Sequence, residues 1–244
     1  MDIRHTSQLL SYRKLMLAGL FCLLSHVSAS ALADPASEDL GTGSPSSAVS
    51  GVRVEPLANH EVPEALKNQA RQEIEQHGKQ GYTDASEEAV SYLGRAVAAA
   101  QRSGDGSLRS MEQIAGSLAI SPASLSGTDL ETAKLLGAST AGAYKKEGWT
   151  GLVRVFVAPG LGPVVLEEFD FVAGGGGLVM IKEAVNEDIN GYPAILRMKK
   201  SLSGKSVTEL TWVSDRKIFT MRANPAVNGK KADELVKIAK GISN

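Results

Sequence analysis

The sequence predicts an α+β fold, in which N-terminal helices are followed by a six-stranded antiparallel meander with a C-terminal helix packed on one face. Three observations predict it. Apolar residues recur with a helical period between residues 61 and 148. From residue 150 the period drops to two. The later connections are too short for parallel crossovers, which need a dozen or more residues, so neighbouring strands must be antiparallel.

The first 33 residues precede the fold. Residues 1–14 are polar and end in Arg13-Lys14, residues 15–24 are continuously apolar, and Ala31-Leu32-Ala33 stands before Asp34. This order is that of a secretory signal peptide cleaved after Ala33. An apolar run of this length is about half of the roughly 20 residues that cross a bilayer. The sequence therefore predicts a periplasmic or secreted bacterial protein with no membrane anchor after processing. Cleavage would remove Cys22, the only cysteine, leaving no disulfide and no thiolate chemistry. Residues 34–60 are rich in Pro, Gly and Ser and predict a flexible leader.

The helical region spans 61–148. Leu66, Ala70 and Ile74 make one stripe over 63–77. Ala89, Val90, Leu93, Ala96, Val97 and Ala100 make a stronger one over 85–102, capped by Asp84 with Glu87 and stopped at Ser103-Gly104. Ser110 and Gln113 cap a short helix over 110–118. Thr128 and Glu131 form the capping box of a helix predicted over 129–147, ending at Gly148. Its small residues, Gly137 to Ala143, imply a closely packed neighbour.

Residues 149–244 hold the predicted sheet. The strands are 152–158, 164–172, 177–185, 192–200, 206–213 and 217–223, separated by turn sequences such as Pro159-Gly160, Gly174 to Gly177, Asn190-Gly191 and Ser203-Gly204. The closing helix, 231–242, presents Ala232, Leu235, Val236, Ala239 and Ile242 to a partner. Asp233 and Glu234 sit in its first turn and Lys237 and Lys240 near its end, as the helix dipole favours.

Several patterns suggest chemistry and fall short of it. Asn186 to Gly191 begins like a calcium loop, but its twelfth position is Arg197, so a hairpin turn explains it better. Gly174 to Gly177 follows a strand but leads to another strand, with no helix N-terminus to hold a phosphate. Glu167, Glu168 and Asp170 could serve a hydrolase, yet their alternation with Phe169 and Phe171 reads as a solvated face over a buried one. His60 and His77, the two histidines beyond the signal, read as surface residues, since zinc needs at least three convergent ligands. No serine lies in a nucleophile elbow. No catalytic residue, cofactor site or metal site is predicted.

Charge carries the remaining signal. Arg4, Arg13 and Lys14 leave with the signal, against Asp2, so 26 basic and 27 acidic residues become 23 and 26, a net charge near −3. This balance gives no reason to expect nucleic-acid binding. Residues 151–190 are mostly acidic and 191–231 mostly basic. Arg197, Lys199, Lys200, Lys217 and Arg222 are therefore the candidate partner-binding face, with plain cross-strand pairing as the structural alternative.

The stretch Asn190-Gly191-Tyr192-Pro193-Ala194, Leu210-Thr211-Trp212, Ile218-Phe219-Thr220 and Glu234-Leu235-Val236-Lys237-Ile238-Ala239 resembles a group of small bacterial envelope domains of unknown function. Some of these are associated with anti-sigma factors and are distantly similar to lipoprotein carriers. The resemblance spans about residues 150–243 and implies a non-catalytic envelope module. The expectation is an exported, non-enzymatic regulator or inhibitor that binds another envelope protein. A carrier of an apolar ligand held between the sheet and helix 231–242 is the first alternative, and a carboxylate hydrolase the second.

Overall fold

A computed structural model describes residues 22–25, 51–102, 108–224 and 230–243. The predicted signal segment outside 22–25, the predicted leader over 34–50 and the predicted helix stop at Ser103-Gly104 lie outside the described residues. In chain order the elements are β1 (Cys22–Ser25), β2 (Val52–Glu55), α1 (Glu64–Gln80), β3 (Thr83–Asp84), α2 (Glu87–Val90), α3 (Tyr92–Gln101) and α4 (Met111–Ala115). They continue with β4 (Lys134–Lys145), β5 (Gly148–Ala158), β6 (Gly162–Asp170), β7 (Gly177–Ile181), β8 (Glu187–Ile189), β9 (Tyr192–Lys200), β10 (Ser206–Val213), β11 (Lys217–Ala223) and α5 (Lys230–Gly241).

The α+β class holds, but the sheet is not a six-stranded meander. It has eight strands in the order β3-β9-β10-β11-β6-β5-β4, with β8 beside β9. The long strands are antiparallel, while short β3 runs parallel to β9 and makes the sheet mixed. Two three-stranded meanders, β4-β5-β6 and β9-β10-β11, therefore meet where β6 pairs with β11. The segment predicted as the third strand leaves this sheet. Only 177–181 is extended, and as β7 it lies between β1 and β2 in a separate three-stranded sheet. Successive turns through Asp170–Gly176 carry the chain out, with Gly174, Gly175 and Gly176 amides donating to Asp170, Val172 and Phe171 carbonyls.

The helix predicted over 129–147 is strand β4. Gly137 and Gly142 have φ of +157° and +77°, outside the helical region, and both sit at register shifts in the β4–β5 ladder. A Cβ on Gly142 would meet Thr150 and Phe169 at 2.6 and 2.7 Å, which is the close approach that the small residues foretold. The apparent capping box folds as a turn instead. Thr128 Oγ1 donates to the Leu125 carbonyl, and Glu131 accepts from the Gly127 amide.

Elsewhere local signals hold. Ser110 and Gln113 form a reciprocal capping box on α4. The helix predicted over 85–102 is divided into α2 and α3, and its cap is Ser86, which accepts from the Ala89 amide. Asn190 and Gly191 take φ of 56° and 87°, as an Asn-Gly hairpin requires. Part of the predicted leader is structured: β2 pairs with β7, and Leu57 is buried.

Both faces of the sheet are covered. On one, Leu235, Ile238 and Ala239 of α5 pack against Leu210, Trp212, Phe219 and Met221, with Trp212 and Phe219 stacked at 4.9 Å. On the other, Leu93 of α3 packs on Val155 and Val165, while Ala70 of α1 joins Phe171, Ile195 and Val213 beside the small sheet. Leu235 is fully buried at the first of these layers. Leu235→Ala is expected to cost about 2–5 kcal/mol, read as a lower urea midpoint at unchanged slope.

Candidate functional site

Covering both faces forces the charged residues of the central strands indoors, where each must be neutralised. The alternation seen in sequence places them correctly on opposite faces, but neither face is solvated. On the α5 face, Glu168 accepts from Arg154 at 2.8 Å, Lys217 at 3.0 Å and the Ala123 amide at 2.9 Å. Arg154 and Lys217 also donate to the carbonyls of Ala123 and Ser121. The triad thus clamps segment 121–123 onto the sheet. Asp170 is buried at the same face and accepts from the Ala173 amide and from Arg216.

On the helical face the node is Glu209. The β9–β10–β11 register sets Arg197, Glu209 and Arg222 side by side across three strands. Glu209 Oε1 accepts from Arg197 Nε and Nη2 at 3.0 and 2.6 Å and lies 2.8 Å from Lys199 Nζ. Its Oε2 accepts from Arg222 Nε at 2.7 Å. Arg222 then reaches Glu167 at 2.8 Å, and Tyr92 from α3 donates its hydroxyl to Glu167 while its ring lies under the guanidinium.

Three cations sharing one carboxylate explain opposite titration shifts. Burial alone would raise the Glu209 carboxyl, but Lys199, Arg197 and Arg222 together hold it well below the usual range. Lys199 loses to burial and to repulsion from Arg197 and Arg222, which outweigh Glu209 and pull its ammonium down to about 8. Arg222, between two carboxylates, is raised despite its burial.

The five residues predicted as a partner-binding face do not share one. Arg197, Lys199 and Arg222 point to the helical face and Lys217 to the α5 face, all engaged by carboxylates. Lys200 is exposed at the end of β9, beside the Tyr82 ring. The predicted surface histidines also differ from expectation. His60 is buried, with Nε2 3.4 Å from the Glu55 carbonyl. His77 lines a cavity of about 200 Å³ with Glu73, Thr83, Glu183, Asn186 and Arg197, where burial, then Arg197, lowers its pKa. The oxygens of the calcium-like stretch serve the fold. Asn186 bonds both ways to Leu196, and Asp188 accepts from the Gly191 amide. Asn190 donates to the Lys240 carbonyl. The helix–sheet layer considered for an apolar ligand is occupied by the side chains of the α5 core.

The charge pattern did not mark Glu209, Arg154 or Tyr92 as the residues that complete these clusters. An exposed aromatic patch also went unmarked. Tyr144, 69% exposed at the end of β4, meets Trp149 edge-on at 5.4 Å. β4 ends the strand order, and the bridge between Arg109 and Ala138 is the pairing described on its outer side.

No known protein family and no curated protein matches the sequence. Among solved structures, a GTP-binding regulator from Thermotoga maritima has 14% identity over 47% of this chain and 82% of that one, with a TM-score of 0.25. So slight a likeness carries no argument.

Glu209→Gln leaves Arg197 and Lys199 without this carboxylate and Arg222 with Glu167 alone, and is expected to cost roughly 3–5 kcal/mol. In the parent chain the stabilisation from Glu209 is full above its ordinary pKa of 4.5 and is lost as pH falls through the lower folded value. The fall in stability on acidification should be shallower in the variant. Lys199 has the opposite sign. Its folded value of about 8 lies under the ordinary 10.5, so the unfolded chain holds more protons between them and stability rises with pH across that window. Lys199→Met should remove this rise, with both effects read from urea unfolding across pH.

Proposed function

We propose that this chain is an exported, non-enzymatic protein that binds another envelope protein through the open end of its sheet at β4. The observation that carries this reading is Tyr144, a large aromatic standing in solvent on an edge strand and buttressed by Trp149. Rigid aromatic anchors of this kind dominate binding energy at protein interfaces, and edge strands offer backbone groups to a partner. Lys145 and Lys146 extend the patch into the β4–β5 turn. Of the basic residues first considered for this role, Arg197, Lys199, Lys217 and Arg222 are held in internal ion pairs and Lys200 stands apart from them at the end of β9, so β4 replaces them.

The non-enzymatic part rests on the acidic strand. Glu168 and Asp170 are engaged by Arg154, Lys217, Arg216 and backbone amides, an arrangement that fastens loops to the sheet. Export rests on the order of charged, apolar and small residues over 1–33, and the resemblance of residues 150–243 to envelope domains agrees with it.

Tyr144 is largely solvent-exposed, so its truncation should leave folding intact. Capture of a specific partner from envelope extract by Tyr144→Ala is expected to fall at least about tenfold against the parent chain. Undiminished capture of every partner would refute the role of β4.

A further inference from the structure

We propose that the outer edge of β7 is a strand-acceptor site, which takes an extended apolar segment of another polypeptide in the orientation that Cys22–Ser25 adopts on it. The inference rests on the export reading above and uses a different surface from β4.

The backbone pairing carries it. β7 is the middle strand of the small sheet, with β2 parallel on one side and β1 antiparallel on the other. The β1 ladder matches Cys22 with Met180, Leu23 with Val179, Leu24 with Leu178 and Ser25 with Gly177. Yet residues 22–25 lie within the segment that signal cleavage after Ala33 would remove. Processing would then turn an interior strand into an edge. The backbone donors and acceptors of β7 that face β1 would lose their partners, and unpaired backbone groups are costly wherever water does not reach them.

β7 is also unusual as an edge. Gly177-Leu178-Val179-Met180-Ile181 has no lysine, no proline and no charge, the devices by which natural edge strands avoid pairing. With β1 in place all five residues are buried. Phe171, Leu178, Met180 and Ile181 belong to one apolar cluster, so the strand is fixed from behind and cannot turn its edge away. A rigid, uncharged and apolar edge suits strand addition, in which main-chain bonds supply affinity. The strand seated there is itself apolar at Cys22, Leu23 and Leu24, which defines the chemistry of the occupant.

The full chain is produced by export and its intact mass measured. A mass retaining residues 22–25 would refute the export reading and overturn the proposal with it, since β1 would then be a permanent strand. On chain beginning at Asp34, binding of a labelled synthetic peptide of residues 19–28 is titrated, beside two versions N-methylated at Leu23 or at Leu24. Successive amides of a strand point in opposite directions, so one of these two faces β7 and the other faces away. Saturable binding by the parent peptide is expected, weakened about tenfold or more by one methylation and little by the other. No saturable binding, equal response to both methylations, or a processed chain that dimerises and refuses the peptide would each overturn the proposal while leaving export intact.

Discussion

The structure turns on the burial of both faces of its central sheet. A strand that alternates charged and apolar residues ordinarily shows one side to water. Here α5 covers one side and the N-terminal helices the other, so the charges of β5, β6, β9, β10 and β11 are held inside. The buried ion pairs of the central strands follow from that enclosure. Glu168 collects Arg154 and Lys217 under segment 121–123, and Glu209 collects Arg197, Lys199 and Arg222 beneath the helices. Such clusters contribute less to stability than apolar packing of equal volume, but they fix which strand lies beside which, because a misplaced partner leaves a bare charge. Specificity of arrangement is the role that their geometry supports.

Much of this was legible in the sequence, and the missing part has a physical cause. Five of the six predicted strands occur in the main sheet, because period-two alternation and turn chemistry are local signals. Even the Arg197–Glu209–Arg222 row follows from them. Folding the chain about 201–205 sets Lys200 beside Ser206 and so Arg197 beside Glu209, and the next turn sets Glu209 beside Arg222. What the local pattern could not reveal was that helices close over both faces, so that Arg197, Lys199, Lys217 and Arg222 follow the cross-strand-pairing alternative, indoors, in place of a partner-binding surface. The site was thus half visible, its cations singled out but Glu209 not recognised as the carboxylate they share.

The segment 134–145 was misread for a different reason. Thr128 and Glu131 have the spacing of a helix cap, and Leu135, Leu136, Ala138 and Ala141 permit a helical stripe. The glycines at 137 and 142 argued the other way, and the long ladder with β5 decides the outcome. Tertiary pairing overrides weak local propensity where two glycines have already reduced the case for a helix. The strand at 177–181 shows the converse. Its extended form was read correctly, but no local signal tells a strand which of two sheets it joins.

The backbone bridge between Ser124 and Ser243 ties the segment clamped by Arg154 and Lys217 to the last described residue of the chain. Together with the β6–β11 pairing at the centre of the sheet, it makes closure of the fold depend on contacts between segments far apart in the chain. Contacts so distant in sequence form slowly. Segment 121–124 therefore takes its final place only once β11 has met β6 and the chain beyond α5 has reached Ser124.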